Sequence, residues 1–136
     1  MRIMAIDYGD ARTGLAFSDL TATLAGEAFT INEWNTQRLV EKIAAEAKSR
    51  DVGKIVIGNP LNMDGTAGPR AEKSAELAEM LRTATGLEVI PWDERRTTVD
   101  AVRILSENNR FGKKRKGKID AVAAALILEA YLGSIR

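Results

Sequence analysis

Three acidic residues occupy positions from which their carboxylates could act together. Asp7 ends the short apolar segment RIMAID, Glu94 stands in WDERRTT directly after another apolar segment, and Asp120 opens a long apolar segment. Carboxylates that share one cleft repel each other unless a divalent cation neutralises them, and Mg²⁺ prefers such hard oxygen ligands. With two ions roughly 3.5 to 4 Å apart, one activates a water and the other stabilises the leaving oxygen of a phosphate ester. The three acids therefore predict metal-assisted hydrolysis.

The apolar pattern predicts the elements that must position these acids. Short apolar segments predict strands over residues 2–7, 15–19, 27–31, 54–58 and 87–91. Apolar residues at helical spacing predict helices after the third, fourth and fifth strands, and a basic loop then precedes a last helix over residues 119–132. Residues typical of helix ends are Asn35 or Thr36 for the first helix, Pro69 and Gly86 for the second, and Thr97 or Thr98 and Asn108 for the third.

This order of elements predicts an α/β fold with a five-stranded mixed sheet flanked by helices. The first three strands suit antiparallel pairing, while strands that alternate with helices require parallel crossovers. Ligands gather at the carboxyl ends of strands in such sheets, where Asp7 and Glu94 both fall. Asp120, in the first turn of the last helix, would complete the set. The alternative is that each acid is a cap or a solvated surface group, and the helix dipole alone favours Asp120 at that position.

The composition narrows both the chemistry and the location. The length of 136 residues predicts one domain over residues 1–136, and the absence of cysteine and histidine excludes disulfides, thiolate nucleophiles and the usual zinc sites. No apolar run reaches the roughly 20 residues of a membrane span, and the first residues gain charge too early for a signal peptide. We therefore expect a cytoplasmic protein. Its formal net charge of +1 requires any nucleic-acid contact to come from locally concentrated basic residues.

Four ordered blocks resemble one known family. They are AIDYGDARTGLAFSD, VIGNPLNMDGTAGPRA, WDERRTT and KIDAVAAALIL, and together they are similar to the YqgF family of pre-16S rRNA nucleases, also described as Holliday junction resolvase-like with a ribonuclease H-like fold. The resemblance runs from residue 3 to about residue 132. It implies that Asp7, Glu94 and Asp120 are the catalytic acids and ligands of Mg²⁺ or Mn²⁺.

The same resemblance implies a loop that faces the substrate, ahead of the second helix. Its residues match the family at Asn62, Asp64, Gly65, Thr66 and Arg70, and the alternative is a well-capped surface turn. Two positions depart from the family pattern, because Asn59 replaces a leucine before the proline and Arg96 replaces an apolar residue. Arg95 and Arg96 are candidates to contact phosphate, although pairing with an acid is the alternative for Arg96.

A basic segment lies directly before Asp120. Residues 110–118 read RFGKKRKGK and contain no acid, so they suit a strip that holds phosphates beside an otherwise repulsive acidic site. A solvated charge run is the alternative. The candidate substrate-binding residues in this segment are Lys113, Lys114, Arg115, Lys116 and Lys118. Trp34 and Trp92 are interpreted as core residues.

These features favour a metal-dependent nuclease that processes the 5′ end of precursor 16S rRNA. A Holliday junction resolvase acting on branched DNA is the alternative substrate assignment, and the sequence does not decide between RNA and DNA. DYGDARTG also resembles the phosphate loop of sugar kinases and actin-like ATPases, which clamp nucleotide between two lobes. A third hypothesis is a non-catalytic nucleic-acid-binding assembly factor. A homodimer would suit a two-fold symmetric junction.

Overall fold

A mixed five-stranded sheet forms the centre of the computed structural model, which describes residues 1–96 and 113–135, the side chains from residue 113 to residue 120 excepted. The strands are β1 Arg2–Asp7, β2 Arg12–Ser18, β3 Ala25–Asn32, β4 Val52–Asn59 and β5 Glu88–Asp93, and they lie in the order β3-β2-β1-β4-β5. β2 pairs antiparallel with β1 and β3, whereas β4 pairs parallel with β1 and β5. The predicted mixed sheet is confirmed, and the carboxyl ends of β1, β4 and β5 share one edge.

Helices cover both faces of this sheet because its central strands are apolar on both sides. α1 Thr36–Ser49 and α2 Pro69–Thr85 pack on the face that carries Met4 and Ile6, and α3 Lys113–Ser134 packs on the face that carries Ile3 and Ala5. Successive strand residues point to opposite faces, so β1 alone contributes to both cores. No helix in the described residues is long and apolar enough to cross a membrane.

The first predicted helix begins where its capping residue indicates, and the second both begins and ends where its end residues indicate. The Asn35 side chain accepts a hydrogen bond from the backbone N–H of Arg38 at 2.9 Å, so Asn35 is the N-cap of α1. Pro69 is the first residue of α2, and Gly86 ends that helix with a left-handed φ of 69°. A residue with a Cβ is strained in that conformation, which explains glycine there.

The prediction for the last helix was wrong at its beginning. α3 starts at Lys113 rather than at residue 119, so residues 113–118 are helical and do not form the predicted basic loop. Lysine and arginine have high helix propensity, and the single Gly117 does not interrupt the helix. Asp120 is consequently the eighth residue of α3 and not part of its first turn. The helix predicted from Thr97 or Thr98 to Asn108 lies outside the described residues.

Candidate active site

Asp7 lies at the carboxyl end of β1, on the sheet face that α3 covers. Ile3 and Ala5 precede it at alternate positions and pack against α3, and Asp7 itself is only 5% exposed. The turn that follows is tight, because a Cβ on Gly9 would come within 2.3 Å of the backbone oxygen of Arg12. Gly9 is therefore required by the turn itself.

Glu94 reaches the same face from β5 by passing over β4. It is the first residue of a short 3-10 turn, Glu94–Arg96, and is 2% exposed. A Cβ on Gly58 of β4 would lie 2.8 Å from Glu94 Oε1 and 2.9 Å from Ile127 Cδ1 of α3. The Glu94 carboxylate thus occupies the space that a side chain at position 58 would fill.

The position of Gly58 also shows where Glu94 lies relative to Asp7. Ile57 of β4 is the register partner of Ile6 in β1, so the next residues along these parallel strands, Gly58 and Asp7, are level with each other. β4 lies between β1 and β5, and the Glu94 carboxylate covers this middle strand. Two buried carboxylates therefore occupy one face at the carboxyl edge of the sheet, as predicted.

The backbone of α3 carries Asp120 to the same edge. Ile127 of α3 lies at Gly58 near the carboxyl end of β4, while Tyr131, further along α3, meets the amine of Lys54 near the beginning of β4. α3 therefore runs from the carboxyl edge towards the amino edge. Asp120 precedes Ile127 by two turns, about 10 Å along the axis, on the carboxyl-edge side. Among the side chains that the structure describes, no three acids gather into a cluster suited to a metal.

The predicted substrate-facing loop, residues 60–68, is built by its own polar side chains. Asn62 Nδ2 donates to Thr66 Oγ1 at 3.0 Å, and the backbone N–H of Thr66 donates to Asp64 Oδ1 at 3.0 Å. The hydrogen bonds from Thr66 hold the pKa of Asp64 below its usual range. Gly65 has a left-handed φ of 89°. These side chains shape the loop, which is exposed at the edge where β4 ends.

Arg95 ties this loop to the end of β5. Its guanidinium makes a two-pronged ion pair with Asp93, with Nε and Nη2 at 3.0 and 2.6 Å from the carboxylate, and Nη1 donates to the carbonyl of Met63 at 3.3 Å. The hydrogen bond from Arg95 lowers the pKa of Asp93. The loop and the strand end that carries Glu94 are therefore fixed together. Asn59 ends β4 opposite Asp93.

Arg96 and the two tryptophans have distinct environments. The Arg96 guanidinium lies 4.4 Å from the ring centre of Trp92, a cation–π geometry. Trp92 is buried and packs edge-on against Tyr131, so its predicted core position is confirmed. Trp34 is 79% exposed, and the prediction that it belongs to the core was wrong. The polar segment NEWN around it, residues 32–35, was the signal against burial.

Of the remaining predicted substrate-binding residues, Arg70 is exposed in the first turn of α2. The basic residues before Asp120 lie along the first turns of α3, and they are Lys113, Lys114, Arg115, Lys116 and Lys118. Sequence reasoning missed Gly58, although a glycine within the apolar strand KIVIG is the kind of position where another group approaches the backbone closely.

A mixed sheet in this order, with helices on both faces, places the protein in the ribonuclease H-like class of folds. Over 98% of its length the chain superimposes on RuvC of T. thermophilus in complex with Holliday junction substrate, with a TM-score of 0.61, 12% identity and 96% of that chain covered. The Fowlpox virus resolvase bound to Holliday junction DNA gives a TM-score of 0.62 at 15% identity, with 99% of each chain covered. Because these sequence identities are low, the structural similarity shows the fold alone.

Sequence similarity identifies the family within that class. The family described as "RuvX: Holliday junction resolvase" matches residues 1–134. A "Putative pre-16S rRNA nuclease" of Thermoanaerobacter pseudethanolicus is 43% identical over 135 residues, covering 98% of this chain and 97% of the relative. The chain therefore belongs to the RuvX family, which is the YqgF family that the sequence blocks resembled. It is a nuclease, a hydrolase of phosphodiester bonds, and its substrate is nucleic acid.

Proposed function

We propose that the protein is a metal-dependent nuclease that cuts precursor 16S rRNA at its 5′ end during ribosome biogenesis in the cytoplasm. Residues 1–136 act as a single nuclease domain in this proposal. The observation that carries it is the pair of buried carboxylates, Asp7 and Glu94, on one sheet face beside the glycine of β4. The names of the curated relatives support the choice of precursor rRNA as substrate.

The acids suit Mg²⁺ or Mn²⁺ by their chemistry and their burial. Two carboxylates that are 5% and 2% exposed offer hard oxygen ligands at one edge of the sheet, and a divalent cation beside them would favour their charged form. We assign Asp7, Glu94 and Asp120 as the catalytic and metal-binding residues. The bound metal would activate water and stabilise the leaving oxygen of the phosphodiester.

The chain itself supplies position and charge around these acids. Gly58 leaves room for Glu94, and Arg95, which is paired with Asp93, fixes the adjoining loop through its hydrogen bond to the carbonyl of Met63. We propose that this loop, through Asn62, meets the substrate together with Arg70, Arg95 and Arg96. The basic first turns of α3, from Lys113 to Lys118, would hold phosphates ahead of Asp120 and offset the repulsion between the acids and the nucleic acid.

The test is cleavage of two labelled substrates, a 5′ leader of precursor 16S rRNA and a four-way DNA junction, with Mg²⁺ and with Mn²⁺. Asp7→Asn and Glu94→Gln should each lower kcat by on the order of 10³ while substrate binding is kept. Glu41→Gln is the matched control, because Glu41 is an exposed acid of α1 and its loss should leave kcat unchanged. Equal cutting by wild type and Asp7→Asn would refute the proposed site.

A Holliday junction resolvase is the second candidate function, and the fold shared with RuvC and the Fowlpox virus resolvase favours it. In that case the protein would act as a homodimer that places two sites on a two-fold junction. Symmetric nicking of the junction, with a dimer mass in solution and no cutting of the rRNA leader, would select this candidate. Binding of either substrate without cutting would favour a non-catalytic nucleic-acid-binding assembly factor. Thermal stabilisation by nucleotide, without nuclease activity, would favour a nucleotide-binding protein similar to the sugar kinases and actin-like ATPases.

A further inference from the structure

Trp34 is an exposed aromatic residue held in a fixed place. It lies between β3 and α1 with 79% of its surface exposed. The backbone N–H of Glu33 donates to the carbonyl of Ala11 at 3.0 Å, and Asn35, on the other side, is the N-cap of α1. The chain is therefore anchored immediately before and after the indole. A ring presented on anchored backbone loses little conformational entropy when a ligand stacks on it.

Tyr8 connects this indole to the candidate active site. Trp34 and Tyr8 line one pocket at the carboxyl edge of the sheet, together with Lys73 of α2. Tyr8 directly follows Asp7 and packs against the core on the α1 and α2 side of the sheet. The acids thus lie on the α3 side of the edge and the two aromatic residues on the α1 and α2 side. A nucleic-acid strand that crosses the edge at β1 would meet both within a few nucleotides.

The combination of rings and charged groups around the pocket fits a nucleotide rather than a free anion. Asp10 and Glu76 line the pocket with Lys73, and the Lys73 amine is 3.6 Å from the Asp10 carboxylate. Tyr8 and Lys73 also line an adjoining pocket that reaches Arg70. Acids and bases nearly balance, so net charge does not select the ligand. Aromatic rings beside separated cations are the arrangement that binds unpaired nucleobases and their flanking phosphates.

We propose that Trp34 and Tyr8 hold an unpaired nucleobase of the substrate beside the cleavage site, with Lys73 and Arg70 facing the neighbouring phosphates. The inference rests on the proposed function, because it makes nucleic acid the ligand of this edge. It also sets a specificity, since only a substrate with a single-stranded segment next to the cut can place a base there. Stacking on a ring tolerates any base, so the preference is for strandedness and not for sequence.

The test measures binding without cleavage, in EDTA, with the full chain and two RNA probes: a short single-stranded oligonucleotide and a blunt duplex of the same sequence. The chain has two tryptophans, of which Trp34 is exposed and Trp92 is buried, so acrylamide quenching reports mainly on Trp34. The single strand should protect Trp34 from acrylamide. Trp34→Ala should weaken single-strand binding roughly 5- to 150-fold, and Trp34→Phe should restore most of it. Duplex binding should change little.

Leu24→Ala is the matched control, because Leu24 is 65% exposed in the β2–β3 turn at the opposite edge of the sheet, and its loss should not alter binding. Equal single-strand affinity of wild type and Trp34→Ala would overturn the inference. Protection of Trp34 by rising protein concentration without RNA would also overturn it and assign the pocket to a second copy. If RNA protects Trp34 but wild type cuts nothing with Mn²⁺, the proposed nuclease function fails and the base site stands. If Trp34→Ala binds and cuts like wild type, only the base site fails.

Discussion

Gly58 provides the most direct test of how the acids are positioned, because a single methyl group there competes with Glu94 for space. The Cβ of Gly58→Ala would lie 2.8 Å from Glu94 Oε1, whereas ordinary contact begins at 3.4 Å, so the carboxylate must move by at least about 0.6 Å. Ile127 Cδ1, at 2.9 Å, limits movement on the other side. Both side chains are buried and have little free space around them.

Two magnitudes follow from this contact, one for stability and one for activity. Overpacking by one methyl group costs roughly 1–3 kcal/mol, but the displaced atoms end flexible side chains, so we expect a loss of about 1–2 kcal/mol and a Tm lower by about 3–8 °C. A catalytic group displaced by about 1 Å can lose a hundredfold in rate, so kcat should fall about 10- to 100-fold. We therefore expect Gly58→Ala to lower kcat more strongly than it lowers the stability of the fold.

The assay pairs thermal unfolding with metal-dependent cleavage of the rRNA leader for Gly58→Ala and Gly133→Ala. Gly133 is the control because it lies near the end of α3 and a Cβ there meets nothing within 4 Å. Gly133→Ala should keep wild-type kcat and gain up to about 1 kcal/mol through helix propensity. A lower Tm with wild-type kcat in Gly58→Ala would refute the reasoning, since the position of Glu94 would then not matter for the reaction.

Three further outcomes can be measured on the same protein. Arg95→Gln should lower kcat about 10- to 100-fold because the loop and the strand end that carries Glu94 lose their support, and it should raise KM at high salt because Arg95 is also proposed to meet phosphate, whereas a fall in kcat with unchanged KM would show that Arg95 only supports the loop. Because the pKa of Asp93 is lowered by Arg95, that pair stabilises the fold above the unfolded-state pKa of about 3.9 and loses this contribution as pH falls through the folded-state pKa. The unfolding free energies of wild type and Asp93→Asn should therefore converge in acid titrations, and a constant difference would contradict this. Asn35→Ala removes the N-cap of α1 and should cost about 1 kcal/mol in urea unfolding, and no loss would show that the cap is dispensable.

The central sheet and its two edge acids were readable from the sequence because their signals are local. Alternating or continuous apolar residues specify β1 and β4, and the helices between the parallel strands require crossovers that bring Asp7 and Glu94 to one edge. The N-cap Asn35 and the C-cap Gly86 are likewise identified by residue type. Strand ends were less accurate, since β5 continues to Asp93 where Pro91 suggested an end.

Features that depend on distant residues were not readable. Gly58 matters because β4 and β5 are in register and α3 presses Ile127 onto the same point, and none of these relations appears in the local pattern. The reach of Arg95 to the carbonyl of Met63 likewise joins residues 32 positions apart. Trp34 shows a different limit, because hydrophobicity predicts burial only on average and says nothing of a ring kept outside.

The placement of α3 has a consequence for the order in which the protein becomes active during its own synthesis. α3 follows all five strands in the chain, and it alone among the described helices covers the sheet face formed by Ile3, Ala5 and Val56. Until α3 leaves the ribosome this apolar face lacks the cover that α3 gives it, and a chain in that state lacks the proposed Asp120. The proposed nuclease would thus remain inactive until α3 has been synthesised, since folding and completion of the proposed acid set await the same helix.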